Sequence, residues 1–406
     1  MSDAPVTTSI TQPAGAPLGP PSEGGGRGPA RAALGMVGDV AVRSVGPIVL
    51  ALVFGGFLLL ALGVDPLTFY GDVIQGGIDF GAWQDTIMRM APLLLIAVGL
   101  IVVFRANIWN LGIDGQFLLA AAIIAGLGPE MLDAGMSRWL VLLVLFLIAG
   151  AVGATWTILP AVLRARYGIN EIITTLMMTF IGINLANILI KGPFQDFESN
   201  VPQTKSMPFE DLLPAIPGTR IHVGVLVAGA AAVAVWFVMS RTSYGLRLRI
   251  LGANARAAQH AGLNVSRLIV TSFMVSGMLI GFAAASEILG IWGYVRADWN
   301  PAFGLLVVPL VFLARFNAIA VIPFVFLLSL LSIGGDFATQ EAGLSNEFTL
   351  LLVGLILLFM GVTELLGRRR DLGQSYLPSR LRRRRTPQTA PAPAEGAPRP
   401  AEPGAA

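Results

Sequence analysis

The feature that most constrains this chain is a train of apolar stretches, each about one bilayer crossing long and parted by short polar connectors. At about 20 residues per helical crossing these stretches consume roughly half of the chain and leave no room for a large extramembrane domain. They fall near residues 44–64, 87–104, 109–127, 139–159, 172–190, 223–239, 268–289, 303–314, 318–333 and 348–366. Open sheet edges cannot face lipid, and no ten-residue alternating pattern occurs, so the spans are expected to be helices. The predicted fold is all-α: a polytopic membrane protein of about ten transmembrane helices, some short or broken, with both termini cytoplasmic. Composition agrees. With 55% hydrophobic and 13% charged residues, too little polar surface exists to coat a water-soluble globule, which excludes a soluble enzyme.

Other chemistries fall away on residue counts. The chain has no cysteine, so disulfides, thiolate metal sites and a cysteine nucleophile are excluded. Its two histidines, His222 and His260, argue against a His-rich metal site, and no cofactor is expected. The formal net charge of +3 comes with arginines placed beside apolar spans, a pattern of membrane orientation rather than of nucleic-acid binding.

Residues 1–38 hold six Pro and six Gly within the first thirty positions and few large apolar side chains, so they cannot offset their ordering entropy and are expected to be disordered. Residues 369–406, basic and then Pro/Ala-rich, form a second such tail, leaving 39–368 as the membrane domain. No apolar stretch with a cleavage site opens the chain, against a removed signal peptide. Arg368 to Arg370, Arg380 and Arg382 to Arg385 place the carboxyl end in the cytoplasm, and Arg241, Arg247, Arg249, Arg256 and Arg267 place the 241–267 loop there too. Parity then requires two short helices turning at Arg315 within 303–333. Under this topology the cytoplasmic segments carry 21 Lys+Arg and the external ones five.

Each ionisable group inside a span needs a reason to be there. Glu364, four residues before Arg368, is an interfacial i,i+4 pair. Asn107, Asn110 and Asp114 recur at helical spacing, and counting about 1.5 Å per residue from Arg105 places Asp114 roughly 14 Å into the membrane. Gly112 and Gly115 bracket it where a helix could unwind. Two readings stand: these residues and Gln116 line a cavity, or they hold neighbouring helices together. Asn170 and Glu171 open the fifth span, followed by Thr174, Thr175, Thr179 and Asn184, a polar stripe whose first residues also suit a helix cap. Glu287, about 30 Å above Arg267, and Arg89 fall at similar height and could pair. Gly277 and Gly281 predict close helix packing. Trp292, Tyr294 and Trp299 are expected in the aromatic belt at the outer boundary, ahead of a role in stacking on solute.

In the 241–267 loop, Asn254 to Gly262 reads as a capped two-turn helix, with Asn254 as N-cap and Gly262 as terminator, resting its Ala-rich face on the protein or on a partner. Here the chain resembles the permease subunits of bacterial ABC importers of the branched-chain amino acid, ribose and nucleoside group, over roughly residues 46–366. Asn110-Leu-Gly-Ile-Asp-Gly-Gln-Phe resembles the group's third-span motif. Asn170-Glu171-Ile-Ile-Thr-Thr-Leu-Met is similar to its fifth-span motif. Residues 252–265 resemble the segment that couples to the nucleotide-binding subunit, while Gly192-Pro193-Phe194 and Val201-Pro202-Gln203-Thr204 resemble the nucleoside-importing branch associated with basic-membrane-protein-type lipoproteins. The resemblance implies a non-enzymatic permease of the bacterial inner membrane that imports nucleosides or related solutes by alternating access. Its implied partners are a cytoplasmic ATP-binding subunit, a second permease subunit in a heterodimer, and an extracytoplasmic solute-binding lipoprotein, with no nucleic acid. It implies a substrate pathway at Asn110, Asp114, Gln116, Asn170 and Glu171, and ATPase coupling at Asn254, Arg256, Ala257, Ala258, Ala261 and Gly262. The Gly304-Leu-Leu-Val-Val-Pro309 start and Ala318 after Asn317 depart from the group's pattern. No phosphate-binding Gly-x-x-x-x-Gly-Lys-Ser/Thr motif occurs, so ATP hydrolysis belongs to another chain. The rival expectation is an ion-coupled secondary transporter using Asp114 and Glu171 as proton sites.

Overall fold

The computed structural model describes residues 46–345, 348–355, 358, 359, 361 and 362. Both expected tails, the Glu364–Arg368 pair and the carboxyl-terminal arginines lie outside the described residues. Among those described, no strand forms; isolated bridges link Gln195 to Thr204, Gln203 to Arg296 and Ala215 to His222.

Helix α1 (Gly46–Ala61) is followed by α2 (Pro66–Ile78), which turns from it by 117°. The sequence predicts an external connector at α2. A helix forms instead because Asp65 accepts hydrogen bonds from the Leu67 and Thr68 amides and Pro66 stands in the first turn, where it lacks no needed donor. Phe69, Val73 and Gly77, four apart, give α2 a buried stripe. Next come α3 (Ala82–Arg105), α4 (Ile113–Asp133), α5 (Arg138–Trp156), α6 (Ile158–Tyr167) and α7 (Glu171–Lys191). After a long connector follow α8 (Gly224–Arg241), α9 (Ser243–Ala253), α10 (Ala255–His260) and α11 (Val265–Glu287), the last continued by a π turn at Ile288–Trp292. Then come α12 (Phe303–Leu313), α13 (Ile322–Glu341) and a helical stretch at 348–355.

Among the described residues, seven helical spans are long and apolar enough to cross a membrane, α5 and α6 counting as one, and the bent α1–α2 pair could make an eighth. The first nine expected spans each overlap a helix. One of them is short, as expected: α12, with its 11 residues, rises only about 16 Å against the ~30 Å of a bilayer core.

Burial ranks the helices. The most apolar 18-residue window of α3 is 78% buried, against 22% for α7 and 28% for α8, so α3 is central and the other two are peripheral. An unbroken apolar run from Leu93 to Phe104 leaves α3 no polar face, so other helices can surround it without stranding a polar side chain. Helices α5 and α11 touch backbone to backbone: a Cβ on Gly277 would collide with the Gly153 carbonyl, and one on Gly281 with that of Ala149. A smaller core joins Leu59, Phe69, Val73, Leu331, Phe348 and Leu352 across α1, α2, α13 and the last helical stretch.

Contacts sort the connectors onto two sides. Arg105 Nε donates to the Phe316 carbonyl, Ser266 Oγ donates to that of Ala165, and Gly252 lies against the Arg105 carbonyl. This is the basic side. On the opposite side Lys191 pairs with Asp298 at 2.7 Å, Lys205 with Asp133 at 2.6 Å and Arg220 with Asp85 at 3.2 Å.

Candidate functional site

Helix α3 stops at Arg105 and α4 starts only at Ile113, so residues 107–112 cross into the protein without helical hydrogen bonds. A bare backbone at this depth must find partners elsewhere, and α7 supplies them. The Glu171 carboxylate accepts the Trp109 amide at 3.4 Å, Thr175 Oγ1 accepts the Leu111 amide at 3.2 Å, and Thr179 Oγ1 donates to the Leu111 carbonyl at 3.1 Å. Arg164 Nε lies 3.2 Å from the other Glu171 oxygen. The stripe on α7 is therefore narrower than the sequence suggests: Thr174 and Asn184 bond to carbonyls of their own helix. Asn170 is exposed and caps α7, accepting the Ile172 amide at 2.9 Å.

Two sequence expectations are corrected here. The third span does not run as a helix from Trp109, so the helical rise from Arg105 does not measure the depth of Asp114. Asn107 shares no face with Asn110 and Asp114: it is exposed, in a left-handed conformation with φ 56°. The physical cause is the end of α3: left-handed Asn107 turns the chain, the Ile108 amide donates back to the Val103 carbonyl, and α4 begins only at Ile113.

Asn110 and Gln116 clasp each other. Gln116 Nε2 donates to Asn110 Oδ1 at 3.0 Å, which also accepts the Gly112 amide, while Asn110 Nδ2 donates to Gln116 Oε1 and to Ser276 Oγ of α11. Both side chains are essentially unexposed, at 0% and 1%, so their polar atoms are spent on fastening the break to α11. Asp114 stands apart. Its Oδ1 accepts the Gly304 amide at 2.9 Å in the first turn of α12, and the approach is close: a Cβ on Gly304 would lie 3.2 Å from both carboxylate oxygens. Helix α12 starts abruptly after Ala302, itself left-handed at φ 52°. The amino-terminal ends of two helices that begin inside the protein thus meet at one carboxylate, and helix dipoles favour negative charge there.

Beside this junction Arg89 Nη1 lies 3.0 Å from Glu287 Oε1, and its guanidinium sits 5.5 Å above the Phe303 ring. Glu287, wholly buried, also accepts from Trp292 Nε1 at 3.0 Å. Trp292 and Trp299 contact each other, and Trp299 contacts Phe117.

On the basic side Asn254 accepts the Arg256 amide at 3.0 Å and the Ala257 amide at 3.1 Å, and Gly262, at φ 77°, ends α10. Ala258 is buried, whereas Asn254, Arg256, Ala257, Ala261 and Gly262 are exposed. A groove lined in part by Tyr244, Arg247, Asn264 and Arg267 opens beside them. Sequence reasoning missed Ser276, Trp109 and Arg164 as members of these networks. Only Ser276 had a signal, a hydroxyl next to the packing glycine Gly277.

Residues 84–361, more than half of the chain, match the family model described as branched-chain amino acid transport system / permease component. The chain is similar to the glucose ABC transporter permease protein TsgB13 of Haloferax volcanii, at 31% identity over 79% of this chain and 87% of that one. It is similar to the guanosine ABC transporter permease protein NupP of Bacillus subtilis at 30% identity, covering 77% and 90%. With the nucleoside ABC transporter permease protein NupB of Lactococcus lactis it shares 24% identity, covering 78% and 89%. No solved structure matches the chain significantly.

Proposed function

We propose, from the premise that this chain belongs to the family of permease components of branched-chain amino acid transport systems, that it forms part of the solute path of a nucleoside importer. The chain is a multi-pass permease subunit of an ABC transporter in the cytoplasmic membrane; it is not an enzyme, and ATP is hydrolysed by a partner subunit. A solute-binding protein is its other partner.

The observation that carries the finer reading is the junction at Asp114, where α4 and α12 both begin inside the protein. Broken helices expose backbone donors and acceptors, so a small polar solute can exchange its hydration shell there for fixed dipoles. Asp114 is the pathway residue of choice. Asn110, Gln116 and Glu171 serve the path by holding its wall, since their polar atoms are engaged with protein partners, and Asn170 caps the helix on which Glu171 rides. Two named relatives, a guanosine and a nucleoside permease, support nucleosides, as do the Gly192-Pro193-Phe194 and Val201-Pro202-Gln203-Thr204 segments. The glucose permease shows that a neighbouring sequence can be assigned a sugar.

In this reading the basic side and both termini face the cytoplasm. Asn254, Arg256, Ala257, Ala261 and Gly262 present α10 to the ATP-binding subunit, with Ala258 seating the helix on the permease. A second permease subunit completes the path as a heterodimer, and a lipoprotein delivers solute to the 192–223 connector. Closure of the ATPases then shifts the population between outward-open and inward-open states. Reconstitution tests it: proteoliposomes holding the transporter should accumulate labelled guanosine only with ATP inside, and a protonophore should leave initial uptake unchanged. Accumulation that survives loss of the ATPase but stops with the protonophore would overturn the proposal in favour of ion coupling.

A further inference from the structure

The aromatic residues just beyond α11 gather round a cavity. Trp292, Tyr294 and Trp299 turn toward one another and, with Val295 and Arg296, line a small cavity of about 120 Å³ on the acidic side. Belt tryptophans lie at the headgroup level with their polar ends toward water. Here the indole N–H of Trp292 is turned inward, donating at 3.0 Å to the fully buried Glu287. We infer that this cavity is a stacking subsite for the planar base of a nucleoside entering the path, an inference that rests on the nucleoside reading above.

Three observations select a base as the occupant. First, the rings are preorganised. Trp292 meets Tyr294 and Trp299 with centroids 6.4 Å away in each case, and Trp299 packs on Phe117 at 6.2 Å, so aromatic faces stand fixed before any ligand arrives. Their backbone is pinned as well: the Thr204 amide donates to the Val295 carbonyl, the Val295 amide donates to Thr204 Oγ1, and Arg296 bridges to Gln203. Second, the one charged group among the described lining residues is a donor. The Arg296 guanidinium lies 5.8 Å over the Tyr294 ring, where it can stack on a base and donate to ring nitrogens or carbonyl oxygens. No carboxylate or amide side chain is among the described lining residues, which leaves the Tyr294 hydroxyl as their one side-chain acceptor, against the several that a hexose's hydroxyls require. Third, the cavity is wired to the junction below. Trp292 holds Glu287, Glu287 holds Arg89, and Arg89 covers Phe303, the first residue of α12, whose next residue is bonded to Asp114.

The test uses the complete transporter in proteoliposomes, irradiated with 8-azidoadenosine and mapped by peptide mass. Label is expected within residues 288–302, competed by unlabelled guanosine and not by glucose. Trp299→Leu should reduce that label about ten-fold, the scale of one lost base–aromatic stack, while Trp299→Phe should retain most of it. Label elsewhere, label equally displaced by glucose or by added lipid, or equal loss in the Leu and Phe variants would overturn the subsite. The two inferences fail separately. Robust ATP-driven guanosine uptake without competed label at 288–302 sinks the cavity alone, whereas a wild-type transporter that imports hexose and no nucleoside sinks the functional reading.

Discussion

Glu287 carries two donors on one oxygen: Oε1 accepts from Arg89 and from Trp292, each at 3.0 Å, while the buried Oε2 has no hydrogen-bond partner among the described residues. Such a carboxylate depends on its counter-charge. Arg89→Met should destabilise the protein by about 3–5 kcal/mol, because it leaves an uncompensated buried charge. Adding Glu287→Gln should recover most of that loss. Thermal unfolding of the detergent-solubilised protein, followed by size-exclusion chromatography, checks this, and a double variant as unstable as the single one would refute it. His222 poses the opposite case, a base kept neutral. Its Nδ1 accepts the Gly224 amide at 3.2 Å, its ring packs against Gly290, and burial pushes its pKa down to about 4. The unfolded chain takes up this proton near pH 6.5, well before the folded protein does. Stability is therefore full above pH 6.5 and declines as pH falls toward 4, by up to ~3 kcal/mol. Melting temperatures from pH 7.5 to 5 should show that slope, flattened in His222→Gln; an equal slope in the variant would assign it to other groups.

Helix α10 shows what local chemistry alone can specify. Six residues are too few to form a helix unaided, yet Asn254 satisfies two amino-terminal amides and Gly262 supplies the left-handed turn that ends it. Both signals are short-range, so this helix was legible in the sequence. Asn254→Ala should cost about 1 kcal/mol of local helix stability. Solute-stimulated ATPase activity of the assembled transporter should fall while membrane insertion stays normal, and Asn254→Asp should keep the activity; an unchanged rate in Asn254→Ala would remove α10 from the coupling path. Helix α2 teaches the reverse. Its start signal, Asp65 before Pro66, stands in the sequence, but its 13 residues are too short for a span, and its stability comes from docking on α13. A Cβ on Gly334 would strike the Val73 carbonyl, a contact between residues far apart in the chain. The segment 107–112 was obscured for the same reason. Helical spacing of Asn107, Asn110 and Asp114 suggests one face, whereas α7, some sixty residues on, accepts the Trp109 and Leu111 amides and donates to the Leu111 carbonyl of the unwound backbone.

At the scale of the molecule, the two-sided sorting of connectors supports one orientation, with the arginine-bearing connectors of 241–267 inside and the 192–223 connector outside. The chain offers a direct check because it contains no cysteine. A single cysteine in place of Ser199, which is half-buried or more exposed like its neighbours in the connector, should react with an impermeant maleimide on intact cells. One replacing Gln259, on exposed α10, should react only after the membrane is opened. Reversed labelling would invert the topology and with it the assignment of α10 to the ATPase.

The sequence by itself determined the solvent this protein folds in, the helical form of its spans and the capped helix α10, because these follow from apolar run length and from hydrogen bonds within a few residues. Tertiary structure decided where the helices break and what each buried polar group does. Asn110 and Gln116 suit either a cavity lining or a fastening between helices; only the tertiary structure brings Ser276 of α11 to the Asn110 amide, a partner that the sequence does not name. The three outer aromatics suit a belt by position, and the tertiary structure adds the inward bond from Trp292 to Glu287 and the cavity that they line. In a membrane interior a polar atom's role is fixed by whichever partner the fold brings within about 3 Å, and that partner can sit anywhere along the chain.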